Sequence, residues 1–197
     1  MPEPPAAPGT SEPSAGSAPG SRLGPRPGSR IEGFDLARAL AATCGDYRMQ
    51  LNCMNNLGEV ARYAEDYPQA LKLYEEFRAM AHGRGYVEME AIANLNLAMV
   101  GLMSKNFRSA DQYAMTASKV LAKHQQHWAW LHVAAVRAAC AARAGNRHAA
   151  RQWWNLARER GVRHMKNKDV ELPLEVMYEA ARKLGWSDLV RDLERTQ

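Results

Sequence analysis

The chain has 197 residues, 46% hydrophobic and 24% charged, enough for one or two ordinary domains. No run approaches the ~20 apolar residues of a bilayer-spanning helix and the N-terminus lacks the apolar stretch of a secretory signal, so a cytoplasmic protein is the default expectation, with no membrane partner. Cys44, Cys53 and Cys140 are odd in number and without metal-like spacing, which argues against a disulfide framework or a zinc module.

Residues 1–30 are dominated by Pro, Gly, Ala and Ser, with Leu23 the one large apolar side chain beyond the initiator. Such a segment cannot offset an ordering entropy of roughly 1–2 kcal/mol per residue, so it reads as a disordered tail or linker rather than a ligand for a Pro-reading domain. From Ile31 the texture changes to helix formers with apolar residues at three- and four-residue intervals, and no alternating strand pattern appears. The expected fold class is all-α over residues 31–197.

Breaks punctuate this stretch regularly, at Gly45-Asp46, Asp66-Tyr67-Pro68, Gly83-Arg84-Gly85, Asn106, Gly145-Asn146, Gly161 and Gly185. Aligning them gives a constant offset of forty residues. Asp66, Asn106 and Asn146 each open a helix, followed four residues later by Ala70, Ala110 and Ala150. The preceding helices carry Leu57-Gly58, Leu97-Ala98 and Arg137-Ala138 in register, and Tyr74, Ala114 and Trp154 recur behind them. The units predicted are a half-unit at 31–45, full units at about 47–85, 86–125 and 126–165, and a diverged unit at 170–197.

The order Asn56-Leu57-Gly58, then Tyr67-Pro68-Gln69-Ala70-Leu71, then Tyr74 resembles the tetratricopeptide repeat, whose helical hairpins place a small residue after a Leu, then an Ala and an aromatic. Small residues are needed where two helix axes approach closely. The longer period is similar to the branch containing kinesin light chain and bacterial peptide-sensing regulators. HEAT and armadillo repeats have comparable periods and are the structural rivals. The resemblance covers roughly residues 31–195 and weakens from the third unit onward. It implies an α-solenoid, a right-handed superhelix of antiparallel helical hairpins, serving as a protein-interaction scaffold.

In the half-unit, Phe34, Leu36 and Leu40 are expected to lack a covering helix, leaving an atypical cap, a piece of a longer array, or a surface that a partner completes. A concave groove lined by the first helices suits an extended peptide. Its predicted face is Asn52, Asn55, Asn56, Glu59, Arg62 and Tyr63 in the first unit and Ile92, Asn96, Met99 and Met103 in the second. Asn56 and Asn96 stand one repeat apart. The resemblance implies that such an Asn hydrogen-bonds a bound peptide backbone, since a carboxamide both donates and accepts; the alternative is that these side chains bond neighbouring helices or solvent. Met99 and Met103 read either as a soft wall for an apolar ligand or as core.

Charge is unevenly spread. Between Lys123 and Lys168 ten cations face one anion, Glu159, a net +9 that leaves −4 for the remainder of a chain at +5. Arg147, Arg151 and Arg158 are expected to share one helical face, as a basic patch for an acidic partner or nucleic acid, or as charges balanced by the acidic first unit or by solvent. His124, His127, His132, His148 and His164 lack the carboxylate or Cys that would complete a metal site nearby in sequence. No nucleophile elbow, phosphate loop, zinc-protease or dinucleotide motif is present, so the expectation is a non-enzyme without cofactor, metal or small-molecule substrate, whose partner is a protein or peptide.

Overall fold

The computed structural model describes residues 27–123, 127–161 and 168–195. Among them are nine α-helices and no strand: α1 (Pro27–Thr43), α2 (Tyr47–Tyr63), α3 (Tyr67–Gly83), α4 (Val87–Met103), α5 (Phe107–Leu121), α6 (His127–Arg143), α7 (Arg147–Gly161), α8 (Lys168–Lys183) and α9 (Ser187–Glu194). The all-helical expectation therefore holds. Residues 27–30, expected in the tail, belong to α1, which opens at Pro27. Proline suits a first helical position, where its missing N–H would have had no partner. Residues 1–26, His124 and His164 lie outside the described residues.

The punctuation read from the sequence is one turn used repeatedly. Two backbone bonds close the C-termini of α1, α2, α3, α4, α6 and α8: for example, Asp46 N–H donates to Ala41 O at 2.8 Å and Gly45 N–H to Ala42 O at 3.3 Å. This is a Schellman closure, which needs a left-handed residue at its next-to-last position. Gly45, Gly85, Gly145 and Gly185 supply it with φ of 70° to 74°, and Glu65 and Lys105 adopt the same conformation without being glycine, at 60° and 61°. The residue that ends the closure is itself the N-cap of the next helix. Asp46, Asp66, Asn106 and Asn146 accept from the N–H of Met49, Gln69, Ser109 and Ala149, at 2.9 to 3.3 Å. From α1 to α5 each 17-residue helix plus three-residue turn advances the chain by twenty, so the forty-residue offset is two such steps.

Consecutive helices pack on one another from α1 through α7, and α8 packs on α6. The even-numbered helices also touch in sequence, α2 with α4, α4 with α6 and α6 with α8. One core cluster gathers α2, α3 and α4 around the buried Tyr74 and Phe77; another runs from α4 to α9 around Trp154, Met177 and Leu189; a third joins α4, α5 and α6 around Leu95, Leu121 and Trp130. Gly58 is required by the first of these, since a Cβ there would come 2.5 Å from Cε1 of Tyr74.

At the α1 edge the expectation of three uncovered residues is corrected in part. Phe34 packs against the first core, at the repeat position of Tyr74, whereas Leu36 and Leu40 remain 62% and 58% exposed.

Candidate functional site: a notch on α2, α4 and α6

Six of the predicted groove residues meet in one place. Asn55, Glu59 and Arg62 from α2 and Ile92, Asn96 and Met99 from α4 line a notch of about 70 Å³, closed by Leu95 and, from α6, by Trp128 and His132. Asn96 Nδ2 donates to Asn55 Oδ1 at 2.6 Å, and Asn55 Nδ2 donates to Glu59 Oε1 at 3.0 Å. The two amides thus form a chain that ends on a carboxylate, and Asn96 Oδ1 keeps its acceptor capacity. Asn96 therefore reaches Asn55, not its repeat counterpart Asn56, which does not line the notch.

Arg62 is buried, with its guanidinium 4.5 Å from the Tyr63 ring centroid and its Nη1 4.0 Å from Met103 Sδ. Tyr63 and Met103 thus contact Arg62 but stay outside the notch, and Asn52 is exposed away from it. Met99 is 97% buried and belongs to the core, while one side of it floors the notch. Trp128 and His132 were not anticipated here. Their rings meet edge to face, 5.9 Å apart, and His132 Nδ1 lies 2.7 Å from Trp128 O, which fixes the proton on Nδ1 as donor to that carbonyl. The signal was in the offset: His132 stands forty residues beyond Ile92, which sequence reasoning had placed on the groove face. Trp128 is 45% exposed and offers an apolar face at the edge. A notch of ~70 Å³ is well below the ~300–1,000 Å³ of small-molecule sites, and it has room for one side chain.

The three arginines of the predicted basic patch come together on α7, but over α9. Arg147 reaches Asp188 at 2.5 Å; Arg151 bridges Asp188 and Asp192 at 2.6 Å each; Arg158 reaches Asp192 at 3.0 Å. Trp154 Nε1 adds a bond to Asp192 at 3.3 Å. The balancing charge is thus the fourth unit, not the acidic first unit or solvent. Arg151, ahead of Arg147, holds the Asp188 carboxyl down to about 2. No group of His, Cys, Asp and Glu among the described residues is arranged to hold a metal, and no described helix is long and apolar enough to cross a membrane.

In comparisons with known proteins, no family model, curated protein or solved structure matches the chain.

Proposed function

We propose that the helices form a tetratricopeptide-like right-handed superhelix, and that its α2–α4–α6 face binds an extended peptide segment of a partner protein as an adaptor or regulatory scaffold. Three features support the architecture: one turn type at six helix junctions, a twenty-residue helix step, and contact between successive even-numbered helices. The Asn96–Asn55–Glu59 chain beside Trp128 carries the functional half. An acceptor, a donor set and an exposed indole within one side-chain-sized notch match the needs of a peptide backbone with one anchoring residue.

Selection of a random peptide library on the full chain tests this. Enriched peptides should share an anchor residue and lose at least tenfold in affinity, about 1.4 kcal/mol, with Asn96→Ala or Trp128→Ala. No enrichment, or peptides that bind both variants as well as the wild type, would remove the groove from consideration. The nucleic-acid alternative through Arg147, Arg151 and Arg158 has a specific obstacle: phosphates would have to displace Asp188 and Asp192 from all three.

A further inference from the structure

A second and much larger depression lies between α5 and α7, with α6 as its floor, and shares no residue with the notch. It encloses about 560 Å³. That is within the range of cavities that bury most of a ligand. Its floor is apolar, built from Cys140, Ala141 and Ala144, while Arg108, Arg137 and Arg143 reach it from the sides.

The charges around this cleft are unbalanced. Asp111 is the one carboxylate lining it, and Arg137 Nε engages that carboxylate at 3.1 Å. Arg108 and Arg143 have no acidic partner among the described residues, and both are exposed. Unlike the arginines on α7, which Asp188 and Asp192 neutralise, these two cations are available to a ligand. The cleft also carries two aromatic walls whose faces are already used. The Arg137 guanidinium sits 4.3 Å from the Trp153 ring centroid and that of Arg143 4.7 Å from the Phe107 centroid.

Those occupied faces decide between classes of partner. Single-stranded nucleic acid needs open aromatic faces for its bases as well as cations for its phosphates, and here an arginine already lies over one face of each ring. An acidic protein segment needs only guanidinium groups for its carboxylates and an apolar floor for an interspersed apolar side chain. We propose that the α5–α6–α7 cleft is a second docking site, separate from the groove, for an acidic protein segment whose carboxylates pair with Arg108 and Arg143 and whose apolar residue rests on Cys140, Ala141 and Ala144. Arg137, held between Asp111 and Trp153, orients the wall and keeps its donors fixed.

Fluorescence anisotropy with a fluorescein-labelled (Glu-Glu-Phe)3 peptide and the full chain is the test. The peptide should bind at 50 mM salt and weaken as salt rises. Arg108→Glu/Arg143→Glu should lower affinity at least tenfold, while the groove variant Asn55→Ala/Asn96→Ala leaves it unchanged, so that this site and the groove fail or stand independently. A charge control, Lys72→Glu/Lys183→Glu, makes the same net change elsewhere and should leave binding within twofold. Four results overturn the proposal: no binding at 50 mM salt, equal binding by the double Arg variant, an equal loss from the Lys control, or tighter binding of a fluorescein-labelled single-stranded DNA through the same two arginines. Circular dichroism at 222 nm, unchanged in the double Arg variant, confirms that any loss is not unfolding; if the spectrum falls, Arg108→Gln/Arg143→Gln replaces it, with at least a threefold loss required.

Discussion

Gly58→Ala should change sign with the residue opposite it. In the native chain the new methyl would meet the ring of the fully buried Tyr74 at 2.5 to 2.9 Å, well inside any real contact. Overpacking of this kind costs about 1–3 kcal/mol, and replacing a mid-helix glycine by alanine returns about 1 kcal/mol of helix propensity. The net is a loss of about 0–2 kcal/mol. Tyr74→Ala alone should cost about 3–5 kcal/mol, the usual toll of truncating a buried aromatic. In that background the obstructing ring is gone, so Gly58→Ala should stabilise by about 1 kcal/mol. The second unit already has this combination, with Ala98 and Ala114 at the corresponding positions and both fully buried. The assay is a double-mutant cycle from urea unfolding followed at 222 nm, with a coupling of about 1–3 kcal/mol expected. Should Tyr74→Ala prove too unstable, Tyr74→Leu supplies a milder background. Gly58→Ala stabilising both backgrounds equally would refute the close approach of ring and helix.

Three further outcomes are expected. Glu65→Gly and Lys105→Gly should each stabilise by about 0.5–1 kcal/mol in the same unfolding assay, since a left-handed conformation costs a side-chain-bearing residue about 1–2 kcal/mol and glycine returns part of that as backbone entropy. Because the folded Asp188 pKa lies below its ordinary value, its contribution to α9 docking is fully present above about pH 4 and fades as pH falls toward about 2; the hydrogen-exchange protection of residues 187–194, corrected for the intrinsic rate at each pH, should fall over that window, and Asp188→Asn should remove the pH dependence. With an aromatic disulfide reagent at pH 8, Cys44 should react at once and Cys140 only on unfolding, because Cys140 is buried and its thiol is pushed up to about 12, chiefly by that burial; fast labelling of Cys140 in the native chain would contradict its placement.

The helices were legible because their ends are written in residues with strong local preferences, Asp and Asn as caps and Gly where φ is positive. Where Glu65 and Lys105 take the glycine's place, the cap that follows still marked the turn. The site was less legible, for a geometric reason. An alignment at forty pairs equivalent positions, yet four pairs of side chains that touch across units are forty-one apart: Asn55 with Asn96, Arg62 with Met103, Arg147 with Asp188, Arg151 with Asp192. Asn56 was therefore matched to Asn96 when Asn55 is its neighbour. The basic segment misled for a related reason, because charge was balanced along the chain while its counter-ions sit on the next hairpin. Asp188 and Asp192 carry the same four-residue spacing as Arg147 and Arg151, a match that searching both helices at once would have found. The α5–α6–α7 cleft left no mark in sequence, since its lining is scattered over three helices with no shared spacing.

The turn that ends one helix and begins the next has no spare residue. Adding or removing one there would cost the closing bond behind it and the cap ahead of it together, and would rotate every side chain downstream by about 100° around its helix. Removing a single twenty-residue step would put each helix in the place of its unlike neighbour, Arg78 where Gly58 belongs. The smallest change of length that leaves every contact type intact is a whole hairpin, so such a chain lengthens or shortens in quanta of forty residues, each carrying its own patch of surface chemistry with it.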